Sequence, residues 1–151
     1  MAKFRPRLTT LRKLREIRRD ELQAKLAEAI QATQMLEEQI KVVGNELDEL
    51  QNVQRMAVTG SADVNSLLET QRFRAVLQAQ RTNMKNQATL LNAEIERRRQ
   101  AVVEADKDVR LLEKFNERER LKHLKNVQRA DVKELDEIAS SRQEVTDTWQ
   151  H

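Results

Sequence analysis

From Leu22 to Ala57 one set of positions recurs in alternating steps of four and three: Leu22, Leu26, Ala29, Thr33, Leu36, Ile40, Val43, Leu47, Leu50, Gln54 and Ala57. An α-helix gathers residues spaced about 3.5 apart onto one narrow stripe, so this is a coiled-coil seam with polar interruptions at Thr33 and Gln54. A second seam keeps the same steps through Leu77, Arg81, Met84, Ala88, Leu91, Ile95, Arg98, Val102, Ala105, Val109 and Leu112. Arg81 and Arg98 must carry their charges out of that seam on their aliphatic stems. Between the seams lies Thr59-Gly60-Ser61-Ala62-Asp63, a cluster of breakers and capping residues, in which Asp63 or Ser61 is placed to cap the following helix. Two matched seams around one short loop predict an all-α fold, a two-helix antiparallel coiled-coil hairpin. The expected bounds are helix over about 6–58, tip loop over about 59–65 and a longer second helix over about 66–147, in a single elongated domain of residues 1–151.

Composition agrees with a thin structure. Of the 151 residues 38% are hydrophobic and 35% charged, with two Gly and one Pro, which excludes a thick globular core and leaves disorder or extended helix. The periodicity selects helix. The absence of cysteine excludes disulfides, thiolate nucleophiles and Cys-based zinc sites. No apolar run approaches the ~20 residues of a membrane span, and the basic N-terminal stretch is not followed by a signal-peptide core, so a cytoplasmic protein is expected.

The side chains that catalysis needs are missing or badly placed. His123 and His151, the only histidines, have no helical neighbours to complete a metal site, and Gly44 and Gly60 form no phosphate-cradling loop. Carboxylates are abundant, but a two-helix rod offers no pocket in which to desolvate a pair of them. Arg97-Arg98-Arg99 lacks the aromatic neighbours of a nucleic-acid platform, and net charge is only +3. No enzyme, metal, cofactor, small-molecule substrate or nucleic-acid partner is therefore expected. Gly44, inside a helix at a cost of about 1 kcal/mol relative to Ala, reads either as a tolerated defect or as the close approach of another helix.

Folding the chain back at its midpoint sets Leu50 beside Phe73, Leu36 beside Gln87, Leu22 beside Ala101 and Leu8 beside Phe115. The second helix then outruns the first by roughly 30 residues, from about Asn116 to Asp147, or about 45 Å. Over that overhang the apolar pattern resumes as Leu121, Leu124, Gln128, Asp131, Leu135 and Ile138, a stripe suited to protein binding or to a dimer seam. Leu8, Leu11, Leu14 and Ile17 follow at steps of three and drift around the first helix, and Pro6 suits its first turn. Trp149 reads equally as a frayed terminus or a partner anchor. The stem end is basic, with Lys3, Arg5, Arg7, Arg12, Lys13, Arg15, Arg18 and Arg19 against Glu16 and Asp20, whereas residues 21–60 are mainly acidic.

These features resemble the FliJ family of the bacterial flagellar type III export apparatus. The resemblance rests on Phe4, Arg7-Leu8, Leu11 and Leu14-Arg15-Glu16, on a tip near residue 60, and on a closing stretch Leu112-Glu113-Lys114-Phe115-Asn116-Glu117-Arg118 followed by Lys133-Glu134-Leu135-Asp136-Glu137-Ile138-Ala139. It implies a hairpin similar to the stalk subunit of rotary ATPases. It also implies a stem that enters the hexameric ring of the export ATPase FliI and promotes its turnover without hydrolysing ATP. Residues placed for that role are Arg5, Arg7, Arg12, Lys13, Arg15, Arg18, Arg19, Lys122, Lys125, Arg129 and Lys133, with Leu121, Leu124, Leu135 and Ile138 for an apolar collar. The resemblance further implies docking on the membrane export gate FlhA through both helices near the tip, at Gln39, Val43, Glu46, Leu50, Phe73, Leu77, Gln80 and Met84. Glu46 and Leu50 stand where enteric members carry aromatics, and Gln80 and Met84 replace a small residue and a histidine. Escort of export chaperones, a role in motility and chemotaxis, and a place at the inner membrane of the flagellar base are implied in the same way. The competing readings are an injectisome stalk and a structural coiled coil that dimerises through residues 116–147, separable by light scattering if a stalk is mainly monomeric.

Overall fold

The computed structural model describes residues 3–60 and 63–149, and two helices hold nearly all of them: α1, Thr9–Thr59, and α2, Val64–Trp149. No strand occurs among the described residues. The chain is thus the all-α antiparallel hairpin that its two seams predict, with the second helix the longer.

The ends of the helices follow from local chemistry. α1 starts at Thr9, later than expected. Pro6 lies ahead of the helix rather than in its first turn. Its carbonyl accepts a bond of 3.0 Å from the Thr9 hydroxyl, and the Arg12 N–H donates to the Leu8 carbonyl at 2.9 Å. At the start of α2 the Asp63 carboxylate accepts from the Asn65 N–H at 3.3 Å and the Asp63 carbonyl from the Leu67 N–H at 3.2 Å, so Asp63 is the cap. Ser61, the other candidate cap, lies with Ala62 outside the described residues.

Contacts group the chain into two units, Arg19–Glu104 and Met1–Arg18 with Ala105–His151. In the first, Val43 and Leu47 of α1 pack on Leu77 of α2, with Leu50 and Met84 against them. Burial of each such side chain contributes about 1.5–3 kcal/mol at most. Ala29, Thr33, Leu36 and Ile95 extend the seam. Its polar members are satisfied: the Thr33 hydroxyl donates to the Ala29 carbonyl at 2.9 Å, and Gln54 accepts from Arg74 at 3.3 Å. Arg98 leaves the seam as expected. Its guanidinium donates to Glu94 on its own helix and to the Lys25 carbonyl on the facing one, whereas Arg81 is simply exposed.

The second unit departs from the fold-back arithmetic. The seam does not stop at Leu112: Asn116 is 8% exposed, and Glu119, His123 and Val127 are half-buried. Phe115, expected beside Leu8, is instead 40% exposed, since the steps of three and four from Val109 and Leu112 fall on Asn116. Covering this stretch is the non-helical segment Lys3–Leu8, whose Phe4 ring lies 5.7 Å from that of His123. Extended chain advances about 3.3 Å per residue against about 1.5 Å in a helix. Four residues of it therefore reach as far along α2 as eight or nine helical ones. The overhang accordingly starts near Gln128 rather than Asn116, and every described residue from there to Trp149 is exposed.

Candidate functional site

Two surfaces bring expected residues together. In the unit Arg19–Glu104, Gln39, Val42 and Val43 of α1 face Gln80, Asn83 and Met84 of α2 across an open, mostly apolar groove of about 410 Å³. Its floor is Val43, a core residue, with half-buried Met84, and its rims are the amides of Gln39, Gln80 and Asn83. A volume of this size admits one or two apolar side chains, and the amides around it offer both donors and acceptors to a partner backbone. Four of the residues expected at the gate-docking surface thus share one groove.

The other four do not. Leu77 is 4% exposed and Leu50 packs on the same cluster, so both support the groove from beneath. Glu46 is exposed on α1 outside it. Phe73 stands 52% exposed with the exposed Val76 nearby in sequence, while Arg74 takes the half-buried seam position, so Phe73 is not a core residue packed under Leu50. Val42 and Asn83 were missed because each sits one position off its seam. An apolar Val next to a seam Val was the available signal. Gly44 explains itself by neither approach nor contact: a Cβ built there meets nothing within 4 Å.

The stem is the second surface. Arg12 and Arg15, two of its expected ring-binding cations, are engaged across the hairpin: Arg12 pairs with Glu113 at 3.3 Å, besides Glu16 on its own helix at 3.0 Å, and Arg15 pairs with Asp108 at 3.9 Å. Arg19 lies 3.3 Å from Asp20, and Lys122 lies 3.7 Å from Glu119. Arg5, Arg7, Lys13 and Arg18 are exposed. Arg5 and Arg7 join Lys3, Phe4 and α2 residues Lys122, His123 and Asn126 around one polar cleft. Farther along α2, Lys125, Arg129 and Lys133 flank Gln128, Val132 and Asp136 in a shallow depression on the single helix. Leu121, Leu124, Leu135 and Ile138 are all exposed, and so are Val132, Val145 and Trp149, which extend the same face.

The electrostatics are those of a solvated surface. Among described groups the Glu117 carboxyl is held below the usual carboxylate range by the hydrogen bond from Arg120, 2.7 Å away, and the Arg120 guanidinium is raised by the same bond. No group of three or more His, Asp or Glu side chains that could hold a metal ion occurs among the described residues. Among the described residues no helix is long and apolar enough to cross a membrane. Asn116 departs from this well-solvated pattern: it is a buried amide whose nitrogen and oxygen both lack partners among the described residues.

No curated protein and no solved structure shows a significant match to the chain. The family model described as flagellar FliJ protein matches residues 4–144. That span takes in the capped turn, both seams, the groove and most of the exposed end of α2, and the chain belongs to the flagellar FliJ protein family.

Proposed function

We propose that this protein is a non-enzymatic stalk of the flagellar export apparatus, whose stem enters the FliI ring and stimulates ATP hydrolysis while the groove near Val43 docks on the export gate FlhA. The observation that carries the reading is the exposed end of α2. Val132, Leu135, Ile138, Val145 and Trp149 form an apolar stripe that nothing in the described chain covers. Lys125, Arg129 and Lys133 lie beside its beginning, and Arg5, Arg7 and Lys13 stand exposed in the same unit. Such a helix end fits the apolar collar of a ring, with the cations meeting acidic loops at its mouth. Residence in the cytoplasm, at the inner-membrane face of the flagellar base, and handling of export chaperones follow from the same reading.

The test is hydrolysis by the cognate export ATPase with the full chain and with a chain ending at Val127. The cut is placed there because Asn116–Val127 belong to the packed hairpin and shorter chains would unfold the stem. Stimulation by the full chain and at least a tenfold weaker effect from the shortened one is expected. Equal stimulation by both would remove the overhang from the mechanism. No stimulation by either would leave a coiled coil that acts at the gate alone.

A further inference from the structure

We propose that the exposed end of α2, Leu124–Trp149, pairs with the same segment of a second copy of this chain in an antiparallel two-helix seam, Asp131 of each copy lying against Arg142 of the other. The heptad steps of the overhang do not end at Ile138. Leu124, Gln128, Asp131, Leu135, Ile138, Arg142, Val145 and Trp149 alternate steps of four and three without a break. They lie on one continuous helix, and every one of them is exposed. This is a seam of about three and a half heptads, long enough for a specific helix pair and without a mate among the described residues.

The polar members of the seam identify the mate. Its two charged positions carry opposite signs and stand symmetrically about Leu135 and Ile138, Asp131 four residues before the first and Arg142 four after the second. An antiparallel pair centred between Leu135 and Ile138 therefore sets Asp131 against Arg142 twice, once on each side of the two-fold axis. It also stacks Leu135 on Ile138, Gln128 on Val145 and Leu124 on Trp149. The flanking positions bring Glu134 near Ser141, Val132 near Ala139 and Lys125 near Thr146, with no like charges opposed. A parallel pair in register would instead oppose Asp131 to Asp131 and Arg142 to Arg142 inside the seam, where like charges repel with little water to screen them. The arrangement is isologous and closes at two copies.

Length agrees as well. Trp149 of one copy reaches Leu124 of the other, next to the point where the Lys3–Leu8 segment begins to cover α2, so the pairing uses the exposed stretch fully without displacing the hairpin. Self-pairing covers Leu135 and Ile138, the residues assigned above to the ATPase ring. The free protein would then hold its stem stripe shielded until a ring competes for it. This inference stands independently of ring binding, and it means that self-association of the free protein does not by itself distinguish a stalk from a structural coiled coil.

The experiment is sedimentation equilibrium of the full chain and of D131R, R142D and the double variant D131R/R142D, with circular dichroism to show that helicity is retained. A monomer–dimer equilibrium is expected for the wild type. Each single reversal should weaken it on the order of a hundredfold, and the double variant should restore it to within a few fold. Because the natural chain has no cysteine, mixing Q128C and V145C chains reports orientation: a disulfide between the two variants, and not within either alone, is the antiparallel outcome. A monomer at all concentrations would overturn the proposal. So would association indifferent to the charge reversals, or a double variant as weak as the singles, either of which would mean unspecific apolar contact or another partner for the stripe.

Discussion

At the scale of single residues, Gly44 and Asn116 both sit where the chain is less stable than its fold permits. The space around Gly44 is open and its backbone is helical, so Gly44→Ala should stabilise by about 1 kcal/mol in urea unfolding, through the helical preference of Ala and the lower entropy of the unfolded chain. Asn116 buries both amide atoms without partners, a loss of about 1–3 kcal/mol. Asn116→Leu should raise the unfolding midpoint by an amount corresponding to about 1–2 kcal/mol, and no gain would mean that the amide is satisfied in solution. Val109, 1% exposed, and Phe73, 52% exposed, give the opposite contrast. Val109→Ala should destabilise by about 2 kcal/mol and Phe73→Ala by less than about 1, although Phe is the larger side chain, because stability follows the area already removed from water.

Between the elements, the Lys3–Leu8 segment and the last quarter of α2 differ in what holds them. The segment is non-helical yet covers Asn116–Val127 through Phe4 on His123. Phe4→Ala should leave α1 and α2 helical while hydrogen exchange at Asn116–Val127 accelerates; unchanged protection there would show that the segment contributes no cover. Beyond Gln128 every described residue is exposed and the hydrogen bonds seen are local, backbone bonds of the helix and hydroxyls of Ser141, Thr146 and Thr148 donating to carbonyls one turn back. A stretch of that length is marginally stable in water without a packed face. Its amides should exchange fast in dilute solution and slow as the concentration rises, if the overhang pairs with a second copy. The seam itself was readable from the apolar steps because periodicity near 3.5 admits only one interpretation over many heptads. The covering segment was not, since counting residues back from the tip assumes equal rise on both sides, and extended chain violates that.

For the molecule as a whole, groove and stem are built from different residues, so substitutions can separate the two proposed activities. Substituting Gln39, Gln80 and Asn83 by alanine should weaken gate docking, measured as capture by the cytoplasmic part of FlhA, while ATPase stimulation stays within about twofold of wild type. Removing residues 128–151 should do the reverse. Parallel loss of both activities in either variant would argue that one continuous surface serves both partners. Part of this division was legible beforehand, because Gln39, Val43, Gln80 and Met84 were expected together and share one groove. Glu46, Leu50, Phe73 and Leu77 do not line it, since membership depends on which way each side chain points around its helix and not on its distance from the tip.

The sequence by itself determined the two helices, their antiparallel order, the turn near residue 60 and the exposed stripe of α2, since each follows from local spacing, capping and the scarcity of apolar residues. Arg98 donating to the facing backbone, Val42 and Asn83 lining the groove, and buried Asn116 under the N-terminal segment were decided only in the tertiary structure. Each depends on where a particular side chain meets the rest of the chain across the hairpin. That meeting is set by rise per residue and helix rotation accumulated over many turns, and a few non-helical residues near Pro6 are enough to shift it.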